Sequence, residues 1–377
     1  MHFKHISGTS AAVLCLVTTL LFCISAVHAA ATAKRTLPNF IAGADISLLP
    51  TMEADGVVYK DNGKPDDALK ILRAHGFNTM RLRLWTKPSG AGVMVNDLPY
   101  TIALAKRAKA AGFLVLLDIH YSDTWADPGK QFKPAAWSSL STDQLVAQVH
   151  DYTHSVVASM RKAGAMPDMV QIGNEITGGM LWPDGKNWGP GHDFTILGRL
   201  LKAGISGADD GAGNLAPPLT MIHIDKGADW QGTKWFFDGI SGQGVNFDVI
   251  GLSYYPQQHG PIAGLKETLQ NAAARYKKPI VVVETAYPYK SNTEPITPGL
   301  TYPETPEGQQ QYMLNLIALV RSTPNGLGAG VCYWEPEWLP TKGHGGAWNT
   351  TALFDDNGNA LPAINVYNEH RKFAQSK

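Results

Sequence analysis

The sequence predicts an α/β fold, a single-domain (β/α)8 TIM barrel. Short strand-like runs alternate with capped helical segments eight times, over about 330 residues. Most of the runs are apolar throughout, as in a parallel sheet covered on both faces. Polar and aromatic residues collect at the C-terminal ends of the runs, where a barrel of this kind carries its chemistry. An open doubly wound sheet would show a Gly-rich phosphate turn after its first strand, whereas "DISLLPTMEADG" stands here instead.

The chain has 377 residues, and its start reads as a leader. Lys4 supplies a positive end, Ala11 to Val27 is apolar, and "SAVHAA" closes the run with small residues. Residues 1–29 are therefore expected to be a secretory signal peptide rather than a membrane anchor, with the mature protein secreted or periplasmic. Residues 30–39 form a short N-terminal arm, and residues 40–373 the barrel. Strands are expected at Ile41–Ile46, Thr79–Leu84, Leu114–Ile119, Val170–Gly173, Leu219–Ile224, Val249–Ser253, Ile280–Val283 and Gly330–Trp334. "DDALKILRAHG", "DLPYTIALAKRAKAAG" and "STDQLVAQVHDYTHSVVASMRKAG" each open on a capping or acidic residue and stop at a glycine, which marks three helices. Further helices fit near Asp193–Ser206, Thr233–Ile240, Ile262–Tyr276, Pro306–Arg321 and Pro362–Arg371.

Lysine plus arginine and aspartate plus glutamate balance at 32 each, so no electrostatic footprint for nucleic acid exists. Once Cys15 and Cys23 leave with the leader, Cys332 is the only thiol. No intrachain disulfide and no Cys-based metal site can then form. Its setting, "GAGVCYW", reads as a buried strand holding an inert thiol.

The strand ends present Asp45, then Arg81, Arg83 and Trp85, then Asp118 and His120, then Asn174-Glu175. His223 and Asp225, Tyr254 and Tyr255, Glu284, and Trp334 and Glu335 follow. Glu175 on the fourth strand and Glu284 on the seventh face each other across a barrel mouth. Two carboxyls flanking a bound sugar are the minimum equipment for glycoside hydrolysis, one protonated and one ionised. Either glutamate alone fits an ordinary ion pair equally well, but the two together among Asn, Arg, Tyr and Trp favour catalysis. Arg81 near Glu284 would favour its ionised form, while burial and a like charge would raise the pKa of Glu175. Seven of the ten tryptophans fall on the mouth side, where an indole offers a flat face to a pyranose. Trp334 and Trp85 are expected nearest the chemistry.

His120, His223 and His259 do not show the converging ligand spacing of a metal hydrolase, so His120 reads as a partner for a sugar hydroxyl. "FDDNGN" lacks the spacing and closing Glu of a calcium loop and reads as a solvated turn. Neither a metal nor a cofactor is expected.

"GADISLLPTMEADG", "FNTMRLRLW", "LDIHYSDTWADPGKQ", "IGNEITGGMLWP", "LSYYP", "VVETAYP" and "YWEPEW" together resemble the endo-β-1,4-galactanases of glycoside hydrolase family 53. The resemblance runs from about Phe40 to Phe373. It implies a retaining, endo-acting hydrolase of β-1,4-galactan and type I arabinogalactan, working as a monomer on a polysaccharide. It implies Glu175 as acid/base, Glu284 as nucleophile, Asn174 on the sugar 2-hydroxyl and Arg81 as support for the nucleophile. Asp45, Asp118, His120, Tyr254 and Trp334 match residues lining the central subsite. Some members carry calcium or disulfides in the last loops. This sequence has no second mature cysteine and a shorter-looking last loop, so neither is carried over.

Overall fold

The computed structural model describes residues 1–2, 34–291, 300–345 and 347–368. The expected signal peptide lies almost wholly outside the described residues, and so does the end of the barrel span beyond residue 368.

Eight parallel strands close into a barrel. They are β1 (Ile41–Asp45), β2 (Thr79–Leu84), β3 (Leu114–Ile119), β4 (Met169–Ile172), β5 (Leu219–Ile224), β6 (Val249–Ser253), β7 (Ile280–Thr285) and β8 (Gly328–Trp334). Each pairs with its sequence neighbours, and β1 closes the ring against β8 with Asp45 opposite Trp334. β4 stops one residue before the expected Gly173, because Gly173 takes φ +82° and turns the chain out of the sheet. The outer helices are α1 (Ala68–Ala74), α2 (Leu98–Ala110), α3 (Thr142–Lys162), α4 (Phe194–Gly211), α5 (Trp230–Gly242), α6 (Ile262–Tyr276) and α7 (Pro306–Arg321). Their starts follow the sequence signals. Asp67, Asp97, Asp193 and Asp229 accept backbone N–H groups of the first turns, and Ser141 with Gln144 forms a reciprocal cap on α3. Where a last helix was expected over Pro362–Arg371, a 3₁₀ turn at Pro362–Asn365 leads into α-helical residues 366–368, and the rest falls outside the described residues.

Alternation divides the buried residues into two cores. Residues such as Met80, Leu82, Val115, Leu117, Val170 and Ile172 face outward and pack under the helices. Ile41, Leu116, Met169, Met221, Val249, Val281, Val283 and Cys332 fill the lower barrel. The arm closes its floor. Leu37 packs against that inner core, while Arg35 pairs with Asp168 at 2.6 Å and Lys34 with Asp248 at 3.0 Å. The Cys332 thiol is buried, with its pKa pushed up to about 12 by burial, so it stays protonated and unreactive in the folded protein. Above this apolar plug the inward positions turn polar, and the site begins there.

Candidate active site

Arg81 occupies the barrel axis. It faces inward from β2 and is fully buried, so its charge needs partners from several strands. Nη1 donates to Asp45 Oδ2 at 2.9 Å and Nε to Gln171 Oε1 at 3.2 Å. Nη2 reaches Asp118 Oδ2 at 2.9 Å, Asn174 Oδ1 at 2.8 Å and Glu284 Oε1 at 2.8 Å. One guanidinium thus ties β1, β3, β4 and β7 together. It also faces three carboxylates, an excess of negative charge that bears on the protonation of the site.

Glu284 reaches the axis through a break in alternation. Val281 and Val283 already face the inner core, so strict pleating would send Glu284 outward. The register of β7 slips against both neighbours at this point, with Leu252 opposite Val282 but Ser253 opposite Glu284. The bulge turns Glu284 inward, as bulges beside active sites do. Its second oxygen accepts from the Tyr255 hydroxyl at 3.0 Å.

Glu175 arrives by a different device. After Gly173, Glu175 itself adopts φ 48°, ψ 48°, a left-handed conformation costing a non-glycine residue roughly 1–2 kcal/mol. The turn brings its carboxyl to Ser253, whose Oγ lies 2.6 Å from Oε1. A hydroxyl donates to the ionised carboxylate and accepts from the protonated acid, so Ser253 serves both states. His223 Nε2 backs Ser253 at 2.8 Å, and burial keeps that imidazole neutral, with its pKa well below the ordinary value.

The two glutamates differ in their proton affinity. Burial lifts the Glu175 carboxyl well above the usual range, and the charge of Glu284 lifts it further. Burial also raises Glu284, but Arg81 and the Tyr255 hydroxyl favour its charged form. The shared proton therefore rests on Glu175. Asp118, fully buried as well, is held down to about 2: burial opposes its charge, but Arg81 and His120 outweigh that.

These groups open onto a cavity of about 340 Å³. Of the residues expected at the site, Arg81, His120, Asn174, Glu175, Glu284 and Trp334 line it. Asp45, Trp85, Asp118 and Tyr254 do not. Asp45 is buried below the wall, held by Ser47 and Arg81, and Asp118 by Arg81, Gln171 and His120. His120 has both ring nitrogens engaged, Nε2 with Asp118 at 2.9 Å and Nδ1 with the Ala126 N–H at 3.1 Å. It therefore presents an apolar ring edge, where a hydroxyl partner was expected. Trp85 is buried behind Trp125, edge-on at 5.0 Å. Tyr254 points away from the cavity and donates to Gly260 O at 2.9 Å, and Tyr255 takes the place in the wall.

Ser253 and Gln171 were not among the expected strand-end residues, and Tyr255 was named there but Tyr254 was expected at the site in its place. Period-two counting finds Ser253 and favours Tyr255 over Tyr254, since Gly251, Ser253 and Tyr255 share a face of β6. Trp125, Trp338 and Trp348 join Trp334 in the cavity wall. Trp334 and Trp348 meet edge-on at 4.8 Å, and Trp125 covers the Arg83 guanidinium at 4.3 Å. Among the described residues no group of three or more His, Cys, Asp or Glu is arranged to hold a metal ion.

The model of Glycosyl hydrolase family 53 matches residues 41–367. The chain belongs to glycosyl hydrolase family 53. An arabinogalactan endo-beta-1,4-galactanase of Thermothelomyces thermophilus is 38% identical over 340 residues, covering 86% of this chain and 98% of the relative. The GH53 catalytic domain of Ignisphaera aggregans superposes with a TM-score of 0.80 at 38% identity, covering 89% of this chain and 98% of that one. A fungal beta-1,4-galactanase does so with a TM-score of 0.78 at 35% identity, covering 86% and 98%. This family 53 chain is a glycoside hydrolase, and the barrel around Arg81 is its framework.

Proposed function

We propose that the protein is an exported, endo-acting, retaining β-1,4-galactanase that cleaves internal bonds of galactan and type I arabinogalactan. The observation that carries the mechanism is the asymmetry of the carboxyl pair, with the proton on Glu175 and Arg81 paired to Glu284 at 2.8 Å. Relatives named as galactanases support the substrate.

In the first step Glu284 attacks the anomeric carbon. The bond to the glycosidic oxygen breaks, and that oxygen takes the proton from Glu175. Esterification removes the charge of Glu284, which was one of the causes raising the pKa of Glu175. Glu175, now ionised, accepts a proton from water as the water oxygen attacks the anomeric carbon and Glu284 departs as carboxylate. Asn174 is fixed by Arg81 and by its own donation to Ala126 O at 2.9 Å, which leaves its second N–H for the sugar 2-hydroxyl. The indoles of Trp125, Trp334 and Trp348 offer faces to the pyranose rings. No cofactor is needed for this chemistry.

The test is product analysis of purified protein on linear β-1,4-galactan, mannan, xylan and cellulose, with the first-formed anomer read by NMR. Short galacto-oligosaccharides of retained β-configuration, from galactan alone, are expected. Cleavage of another polysaccharide instead would overturn the substrate, and an inverted first product would overturn double displacement. Export is tested by the N-terminus of the mature protein, expected near Ala29 or Ala31. No helix among the described residues is long and apolar enough to cross a membrane.

A further inference from the structure

Large exposed aromatic side chains are few in this protein. Among the described residues, Phe132, Trp188 and Trp235 are the aromatics that stand out, and two of them belong to one structure. Phe132 is 57% exposed and Trp188 49% exposed, on the loops after β3 and β4. Phe132 meets Trp182 edge-on at 6.0 Å, and Trp182 meets Trp188 at 6.5 Å. Scattered exposed apolar residues need no explanation, but a continuous row of three rings on adjacent loops does.

The row is built rigidly onto the backbone that carries Glu175. Gln131 Nε2 donates to Asn174 O at 2.7 Å, and the Trp182 N–H donates to Gln131 O at 2.6 Å. Trp182 Nε1 donates to Gly178 O at 2.9 Å, and Asn187 Nδ2 to Thr177 O at 3.0 Å. A Cβ at Gly178 would sit 3.1 Å from Trp182 and 3.2 Å from Trp188, so the glycine lets both indoles settle over the turn after Glu175. Lys186 extends its ammonium over the Trp188 ring at 3.8 Å, adding a hydrogen-bond donor beside the ring. The loop is also continuous with the cavity. Trp125, Ala126 and Asp127 line the cavity wall, and Phe132 follows five residues after Asp127.

We propose that Phe132, Trp182 and Trp188 form a shelf that binds the leaving-group side of the polysaccharide, the sugar units released in the first step. This rests on the endo-hydrolase reading above. The acid/base protonates the leaving oxygen, so the expelled segment must run past Glu175. The shelf is attached to that residue's own turn, while Trp334 ends β8 and Trp338 and Trp348 stand on the loop after it. A row of flat apolar faces with one donor suits neutral pyranoses. In the second step the same shelf would hold an acceptor sugar. The acceptor hydroxyl then attacks the anomeric carbon in place of water, its proton passes to Glu175, and Glu284 leaves as carboxylate.

The experiment compares Phe132→Ala/Trp188→Ala with wild type on two substrates, linear galactan and a nitrophenyl β-galactobioside whose leaving group is not a sugar. Loss of the shelf should lower kcat/KM on galactan by about 10–100-fold, because remote binding energy is lost. It should leave the aryl substrate within about two-fold. Transfer to added galactobiose, measured against hydrolysis during aryl glycoside turnover, should fall by a similar factor. Trp235→Ala, an exposed ring on α5 that meets Phe194 edge-on, should change none of these. Equal loss on both substrates would show that the rings merely support Glu175 and would overturn the proposal. Unchanged kinetics on galactan would also overturn it. If wild type cleaves a different β-1,4-glycan, the galactanase reading fails, and the same comparison on that glycan and its aryl glycoside decides the shelf separately.

Discussion

Two adjacent tyrosines at the end of β6 offer a sharp test of the site. Tyr255→Phe deletes only the hydroxyl that donates to Glu284 Oε2 at 3.0 Å. Tyr254→Phe deletes the neighbouring hydroxyl, which donates to Gly260 O at 2.9 Å. The Tyr255 bond favours the charged form of Glu284, so its loss must raise the Glu284 pKa further. A hydrogen bond to a charged group contributes about 1.5–3 kcal/mol, which is about 1–2 pH units at 1.36 kcal/mol per unit. In the proposed mechanism Glu284 must be ionised to attack, so activity is expected to fall as pH drops through its pKa. The acidic limb of kcat/KM should therefore move up by about 1–2 units in Tyr255→Phe, with a smaller change at the plateau, because Arg81 still holds the other oxygen. Tyr254→Phe should leave the limb in place and cost about 1 kcal/mol of stability. The assay is the pH dependence of kcat/KM for all three proteins, with denaturant unfolding as the control. A Tyr255→Phe limb that overlays wild type would refute the assignment of the nucleophile's environment, as would an equal shift in Tyr254→Phe.

Other expectations follow from the same geometry. Glu284→Ala should abolish hydrolysis of every substrate. Glu175→Ala should lose about 10²–10⁴-fold on polysaccharide but much less on nitrophenyl glycosides, whose leaving group needs no proton. Ser253→Ala removes a bond that lowers the Glu175 pKa, so the alkaline limb, where the acid loses its proton, should move to higher pH in the kcat/KM profile. Glu335 and Glu337 form a second buried carboxyl pair behind Arg83, where burial pushes Glu335 up to about 7 and Glu337 well above its ordinary value. Raised folded-state values mean stability that is present below about pH 4.5 and lost as pH rises through about 7. Glu337→Gln, which still accepts from the Leu48 N–H, should flatten that decline when melting temperature is followed from pH 5 to pH 8.

Much of this was legible along the chain because the signals are local. Strand and helix positions come from apolar runs and capping residues, each decided within a few neighbours. The strand-end residues cluster at one mouth because parallel strands with helical returns must all end on the same side. Arg81 and Glu284 could be paired from the sequence as opposite charges at strand ends. That one guanidinium would gather Asp45, Asp118, Asn174 and Glu284 could not, since the distances depend on how eight strands tilt and close.

By itself, then, the sequence determined the barrel, the mouth at which its polar strand ends collect and the two glutamates that stand there. Tertiary structure decided which groups reach the cavity and in which protonation state. Glu284 faces the axis only because β7 slips register against β6 and β8, which strict alternation does not anticipate. Glu175 reaches Ser253 through a left-handed turn that its own residue type disfavours and that the surrounding packing must hold. Tyr255 displaces Tyr254 from the wall because the alternation of β6 continues for two residues past its last paired residue, Ser253. The proton settles on Glu175 because Arg81 and Tyr255 favour charge on Glu284, a balance among groups from β2, β4 and β7 and the end of β6 that no linear stretch contains.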